Sequence, residues 1–189
     1  MTTAPPTTIS RPEVSEPNAP EFDIVAKKAK DSFGYINFTV LQWIDSKHAL
    51  KRIYSTHPED YPVGGEKIMT RGAPWPTTVI KARQPYASWI IEELRSTYVD
   101  APWLIALGIH QTVCVPIFDE AGNTVAALNF SGGEDQYDKE ILKEMEKVAE
   151  NEGTEAFRTY IATVQGFIHH QEQRQKGFGN RKTIQTNDA

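Results

Sequence analysis

The sequence predicts an α/β fold of the α+β type, in which a central antiparallel sheet has flanking helices and a long C-terminal helical extension. Three observations support this prediction. Two β-branched runs, residues 111–118 and 124–130, enclose an acidic turn with Gly122 and Asn123, which is typical of an antiparallel hairpin. A second pair of strand-like runs precedes this hairpin, and amphipathic helical patterns lie near both ends of the chain.

Composition indicates one globular domain with tails. The 189 residues are 39% hydrophobic, which is enough for one core. No apolar run approaches the roughly 20 residues that span a bilayer, and no signal sequence opens the chain. The single Cys114 cannot form an internal disulfide, as in a reducing compartment. With a net charge of −5 and no basic face, we expect a cytoplasmic protein without membrane or nucleic-acid partners.

The chain divides into three predicted segments. Residues 1–20 are rich in Thr and Pro with almost nothing apolar, which predicts a disordered tail. The domain itself is expected over residues 21–172. Residues 173–189 are polar and predicted to form a flexible tail.

The first elements of the domain are a helix and a hairpin. Apolar residues recur at helical spacing over residues 22–33, so an amphipathic helix that ends at Gly34 is predicted. Strands are predicted at residues 36–44 and 49–55, joined by a polar turn. Alternation places two sets of side chains on opposite faces of the first strand: Phe38, Val40 and Ile44 against Asn37, Thr39, Leu41 and Trp43.

An irregular segment and several helices complete the domain. Residues 56–76 contain four prolines and a Gly-Gly pair, and a loop of this length inside a domain is usually functional or disordered. We predict short helices at residues 75–82 and 100–108, the second capped by Asp100, with a short strand at 85–91 between them. Residues 135–152 form the closing amphipathic helix. A further helix begins at Thr154 and has an apolar stripe that needs a partner, which predicts a homodimer through the terminal helices.

Four short motifs carry a family resemblance. Leu-Gly-Ile at 107–109, Val-Pro-Ile at 115–117, a polar Gly turn at 119–123 and Leu-Asn-Phe at 128–130 follow one another. In this order and spacing they resemble the closing half of a GAF domain, and the likeness extends over about residues 22–162. Small single-domain GAF proteins also carry a similar loop, matched here by Arg52, Tyr54, Ser55, Pro58, Tyr61, Pro62, Gly64, Gly65, Lys67 and Trp75.

The resemblance implies a small-molecule cavity between one sheet face and residues 56–107, closed by the loop at 56–76. Arg52 and Tyr54 alternate with Ile53, which predicts a guanidinium and a phenol on one strand face. A buried Arg is costly unless it meets an anion, so an anionic or aromatic ligand is expected. The alternative is an exposed strand end with Arg52 paired to a nearby acid, namely Glu59, Asp60 or Glu66. The candidate ligand-binding residues are Arg52, Tyr54, Tyr61, Lys67, Trp75, Thr112 and Asn129.

Candidate catalytic residues are His110, Cys114 and Tyr61. His110 and Cys114 are expected on the same strand face, where an imidazole would favour the thiolate of a covalent nucleophile. Tyr61 or His110 would move a proton. The alternative is that Cys114 is a small buried hydrophobe, as most lone cysteines in apolar strands are.

The sequence lacks the motifs of several GAF members of known activity. It does not contain the Asn-Lys, Phe, Asp-Glu signature of members that bind cyclic nucleotides. Bilin-binding members use Cys followed by His, whereas Val115 follows Cys114 here, and free methionine sulfoxide reductases need more than one cysteine. No metal-ligand spacing or phosphate-binding glycine loop is present, so no metal and no cofactor are expected. The resemblance leaves haem open, since His110 or His57 could serve as the axial ligand that a haem-binding member needs.

Three functions remain open from the sequence. The first is a stand-alone GAF-like domain that binds a small anionic or aromatic metabolite. The second is an isomerase, lyase or hydrolase that uses the same cavity with Arg52, Tyr61 and His110. The third is a signalling subunit that acts through its C-terminal helix.

Overall fold

The computed structural model describes residues 8–10 and 15–179, and the side chains of residues 15–170. Its central feature is a seven-stranded antiparallel sheet with the order β1-β4-β3-β2-β7-β6-β5. The strands are β1 Thr8–Ser10, β2 Asn37–Ile44, β3 Ala49–Ser55, β4 Glu66–Ile68, β5 Tyr86–Ser88, β6 Gln111–Phe118 and β7 Thr124–Gly132. The helices are α1 Asp23–Ser32, α2 Pro74–Pro76, α3 Ile91–Thr97, α4 Ala101–Ala106, α5 Lys139–Val148 and α6 Thr154–Gly179.

The central hairpin forms as the sequence predicts. β6 begins and ends at the predicted residues, and β7 extends two residues beyond the predicted end. Gly122 has a φ of 79°, a conformation that glycine adopts without strain. The Asp119 carboxylate accepts a hydrogen bond from the backbone N–H of Asn123 at 2.8 Å, which closes the turn. Apart from Phe118, whose side chain is exposed, β6 is buried along its length, as a strand in the interior of a sheet should be.

One face of the sheet forms an aromatic core under α1. Alternation along β2 puts Phe38 on this face, where its ring stacks on Phe130 of β7 with centroids 5.0 Å apart. Phe33, just after α1, meets the Phe130 ring edge-on at 5.1 Å. These rings are large apolar surfaces removed from water, so they dominate the stability of this layer. The opposite face of β2, with Asn37, Thr39 and Leu41, is left for a cavity.

The predicted disorder of residues 1–20 is wrong for the part that the structure describes. β1 pairs with β4, and the chain from Ser15 to Pro20 follows the edge of the domain. Asn18 bonds both backbone groups of Ser55, each at 2.9 Å. Hydrogen bonds, and not large buried apolar side chains, hold this segment in place. Composition alone therefore does not predict that it is ordered. Residues 1–7 and 11–14 lie outside the described residues.

The segment at residues 56–76 is more regular than predicted. It contains β4, which pairs with Ala49–Lys51 of β3. A strand of three residues is too short to show alternation in the sequence. Further on, α2 continues into a π-helical turn, Thr77–Lys81, where the sequence predicted one helix over residues 75–82. α3 occupies a stretch for which the sequence indicated no definite form.

The last helix is longer than predicted. α6 continues to Gly179, so residues 173–179, predicted as part of a flexible tail, are helical, while residues 180–189 lie outside the described residues. Of the described residues, those from Arg158 to Gly179 form a unit of their own. Within it, Phe167 is 65% exposed. The homodimer through terminal helices stays a prediction. Within the described ranges, every helix is too short or too polar to cross a membrane.

Candidate functional site

A cavity of about 340 Å³ lies on the sheet face opposite α1. Its floor is formed by side chains of β2, β3, β6 and β7, and its walls by residues 60–67 and the region from Tyr98 to Leu104. This volume is within the range of small-molecule sites. Segments that are distant in the sequence therefore meet at one place, including the loop at residues 56–76 that the sequence assigned to closing a cavity.

Arg52 enters the cavity wall from β3. Its backbone pairs with the loop opposite, because its amide donates to the Gly65 carbonyl at 2.9 Å and its carbonyl accepts from Gly64 at 2.8 Å. Its guanidinium Nη1 donates to the Pro62 carbonyl at 3.1 Å. The guanidinium carbon lies 5.0 Å from the centre of the Tyr61 ring, a cation–π distance. The loop thus holds Arg52 in position from both the backbone and the side chain.

Tyr54 does not share the cavity with Arg52, contrary to the sequence prediction. The pairing of β2 with β3 places Tyr54 opposite Val40 and Arg52 opposite Leu41, which leaves Ile53 as an extra residue. Such a β-bulge interrupts the alternation of side chains. Tyr54 consequently faces α1, where its hydroxyl donates to Asp23 at 2.9 Å.

Lys67 contributes a second cation to the cavity from β4. Its ammonium lies 5.2 Å from the centre of the Tyr98 ring. Burial lowers the pKa of Lys67, and the nearby Asp100 carboxylate partly opposes that effect. Among the side chains that the structure describes, no hydrogen bond or ion pair engages the Lys67 ammonium. An anion in the cavity would relieve this burial cost.

A chain of hydrogen bonds connects residues that line the cavity through Cys114, which is buried and does not line it. Thr112 donates to the Tyr98 hydroxyl at 3.1 Å, and that hydroxyl lies 3.9 Å from the Cys114 sulfur. The Cys114 thiol donates to the Asn129 Oδ1 at 3.0 Å, and the Asn129 Nδ2 donates to Thr39 at 3.3 Å. Burial raises the pKa of the Tyr98 phenol, which keeps it neutral. The predicted ligand residues Thr112 and Asn129 therefore line the cavity in fixed orientations.

The structure does not bring His110 and Cys114 together. They are four residues apart, about 13 Å along a strand at roughly 3.3 Å per residue. The His110 Nδ1 instead lies 3.8 Å from a Glu134 carboxylate oxygen. Cys114 is 1% exposed, and burial raises the pKa of its thiol. Neither residue lines the cavity. The thiol thus resembles the small buried hydrophobe of the alternative interpretation rather than an activated nucleophile.

The predicted aromatic residues divide between cavity and core. Tyr61 lines the cavity and packs edge-on against Trp103, with ring centroids 4.7 Å apart. Trp75 is 5% exposed and belongs to an apolar cluster with Leu50 and Val79. Trp75 is therefore a core residue and not part of the cavity lining, contrary to the sequence prediction.

Carboxylates form part of the same wall, and two of them, Asp60 and Glu66, are among the acids that the alternative interpretation placed near Arg52. Asp60, Glu66 and Asp100 line the cavity. The Glu66 carboxylate also pairs with Lys47 at 2.7 Å. Asp100 is at the N-cap of α4 as predicted, yet its side chain makes no capping hydrogen bond. Because the sequence assigns Asp100 to capping, no local signal marked it, or Tyr98, as a site residue.

Comparison with known proteins gives matches at the level of structure. No protein-family model and no curated protein matches the chain. The GAF domain of a two-component sensor histidine kinase from Bacillus halodurans is similar, with a TM-score of 0.58 and 12% identity over 78% of this chain and 95% of that one. The blue-light absorbing form of the PixJ GAF domain of Thermosynechococcus elongatus has a TM-score of 0.54 and 13% identity over 80% and 92%.

A third similar structure is an enzyme. The type II free methionine-R-sulfoxide reductase from Thermoplasma acidophilum has a TM-score of 0.54 and 10% identity over 74% of this chain and 92% of that one. Identities this low show the fold and not the activity. The chain therefore has the GAF fold, and the resemblance noted in the sequence is confirmed at that level.

Proposed function

We propose that this GAF-like chain binds a small anionic metabolite in the cavity closed by residues 56–76. The observation that carries the proposal is the pair of cations, Arg52 and Lys67, in the wall of one cavity. A buried cation is costly unless an opposite charge or hydrogen-bond acceptor meets it. A carboxylate or phosphate would supply both, and Arg and Lys are the side chains that proteins use most for such groups.

An anionic ligand has more support than a purely aromatic one. Stacking on the Tyr61 ring would compete with contacts that it already makes, because the Arg52 guanidinium carbon lies 5.0 Å from its centre and the Trp103 ring lies 4.7 Å away, centroid to centroid. The Tyr98 ring likewise has Lys67 beside it. Trp75 belongs to the core. The aromatic side chains therefore serve to position the cations, and the cations would contact the ligand.

Thermal shift and titration calorimetry with a panel of small carboxylates and phosphates test the proposal. We expect at least one compound to bind saturably, and Arg52→Met and Lys67→Met to weaken it by about 10- to 100-fold, since hydrogen bonds to charged groups contribute about 1.5–3 kcal/mol. Arg95→Met and Lys28→Met remove exposed cations outside the cavity and are matched controls. Wild-type affinity in both cavity variants, or no binding by any compound, would contradict the proposal.

A further inference from the structure

The charges around the cavity are mixed rather than uniformly positive. Arg52 and Lys67 face three carboxylates, those of Asp60, Glu66 and Asp100. A site for a simple anion gains nothing from carboxylates in its wall, because like charges repel the ligand. The wall therefore has the charge arrangement for a ligand that carries both signs.

Asp100 is the carboxylate with the clearest unmet requirement. Its Oδ1 atom is buried and has no hydrogen-bond partner among the described residues. It does not cap α4, although its position at the N-cap would allow that bond. Asp100 also lines the cavity, and among the described residues its carboxylate accepts no hydrogen bond, so a donor on a ligand can satisfy this group.

Lys67 and Asp100 are opposite charges held apart in one wall. Lys67 and Asp100 line the same cavity, and the Asp100 carboxylate partly opposes the lowering of the Lys67 pKa by burial. Yet within the described side chains they form no ion pair, whereas Glu66 reaches Lys47 at 2.7 Å. The cavity wall thus presents a cation and an anion at two separate positions.

We propose that the ligand is a small zwitterion of the amino acid type, an inference that rests on the proposed function. Its carboxylate binds on the side of Lys67 and Arg52, and its ammonium donates to the carboxylate of Asp100. The cavity of about 340 Å³ is near the lower end of ligand-site volumes, which suits a molecule of this size. The hydroxyl and amide groups of Thr112 and Asn129 are left to contact the ligand's side chain.

Matched pairs of compounds test the zwitterion with the full chain. The common L-amino acids are compared by titration calorimetry with the 2-hydroxy acids of the same side chains, which retain the carboxylate and lack the ammonium. We expect at least one amino acid to bind about tenfold or more tightly than its 2-hydroxy acid. If the 2-hydroxy acids bind as well or better, the zwitterion is wrong and anion binding stands. If neither series binds, the zwitterion is wrong, and the broader panel of carboxylates and phosphates decides the proposed function.

Asp100→Asn tests the residue assigned to the ammonium. We expect this variant to lose the preference for the amino acid while it retains affinity for the 2-hydroxy acid. Asp135→Asn, an exposed position outside the cavity, is the matched control and should keep the preference. Circular dichroism confirms that each variant is folded. A preference that persists in folded Asp100→Asn overturns the assignment, and the comparison of compounds on the wild-type chain does not depend on either variant.

Discussion

Arg52 and Tyr54, two residues apart on β3, lie on opposite faces of the sheet. Arg52 lines the cavity, whereas the Tyr54 hydroxyl donates to Asp23 of α1 at 2.9 Å. The β-bulge at Ile53 causes this, because it adds one residue between two positions that would otherwise share a face. The bulge therefore gives the strand two different contacts: Arg52 lines the cavity and Tyr54 is bonded to α1.

Tyr54→Phe should lower stability without changing ligand affinity. The substitution removes the hydrogen bond to Asp23 and keeps the ring packed against Phe22 and Phe38. We expect a loss of about 1 kcal/mol, or roughly 2–4 °C in Tm for a chain of this size. Calorimetry and ligand titration measure the two effects. A variant with wild-type Tm and weakened binding would contradict the separation of the two faces.

Strands could be predicted from the sequence where their apolar and polar residues follow a clear pattern. β6 and β7 are long, apolar and joined by a glycine turn, so their bounds follow from the sequence. β2 was predicted with its correct faces for the same reason. The bulge at Ile53 has no local signature, because the register of β3 is decided by its neighbour β2. The placement of Tyr54 was therefore beyond sequence reasoning.

The site was predicted in part. Arg52, Tyr61, Lys67, Thr112 and Asn129 were identified and line the cavity together. Once a cavity is assumed, the charge or polarity of these side chains is enough to identify them as candidates for its lining. Tyr98 and Asp100 were not identified, since they come from a turn between two short helices whose position depends on tertiary packing. Trp75 was assigned to the cavity and belongs to the core. The sequence does not separate these two roles, because a large aromatic side chain suits either one.

The thiol of Cys114 should react slowly in the folded protein. It is 1% exposed and its pKa is raised by burial, and only the thiolate attacks a disulfide reagent. Because Cys114 is the only cysteine, labelling reports on it alone. At pH 8 we expect labelling at least about 100-fold slower than in denaturant, as opening of the core is required.

A second thiol provides the control for this experiment. Ser96→Cys places a thiol at an exposed position of α3, which should label in the native protein at nearly the rate seen in denaturant. If the introduced thiol and the natural thiol of Cys114 label at equal rates in the folded variant, burial of Cys114 is contradicted and it returns as a candidate nucleophile.

Lys67 should make stability depend on alkaline pH. Burial lowers its pKa in the folded state below the value of 10.5 expected when unfolded. Between these two values the unfolded chain binds more protons, so this residue's contribution to the free energy of unfolding rises with pH across that window. Below the window the buried charge costs stability. Urea unfolding of the wild type and Lys67→Met at several pH values isolates the effect, because buried tyrosines act equally in both proteins.

The same residue should couple ligand binding to protons. A bound carboxylate favours the charged form of Lys67 and raises its pKa, so binding takes up protons in the alkaline window and affinity falls as pH rises through it. Titration of a carboxylate without an ammonium group, such as a 2-hydroxy acid, in two buffers of different ionisation enthalpy measures the uptake, because the ammonium of an amino acid titrates in the same range. Lys67→Met should abolish it, and Lys28→Met should leave it unchanged. Proton release on binding would contradict the assigned role.

Asn18 should stabilise the domain although it belongs to the segment predicted as disordered. Its side chain bonds both the N–H and the C=O of Ser55 at the end of β3, and Ser55 is 1% exposed. Asn18→Ala leaves two buried backbone groups without partners. We expect a loss of about 2 kcal/mol, or roughly 4–8 °C in Tm. Asn151→Ala at an exposed position should change Tm by less than about 1 °C.

The effect of Asn18→Ala should extend to the cavity wall. Two residues before Asn18, the Glu16 amide donates to the Val63 carbonyl at 3.0 Å, and the Ser15 hydroxyl accepts from the Val63 amide at 3.1 Å. Val63 lies in the loop that carries Tyr61 and pairs with Arg52. Loosening the segment at Asn18 should therefore raise hydrogen exchange at the Val63 amide by about tenfold or more. If exchange at Val63 is unchanged while Tm falls as expected, the segment supports β3 alone and not the loop.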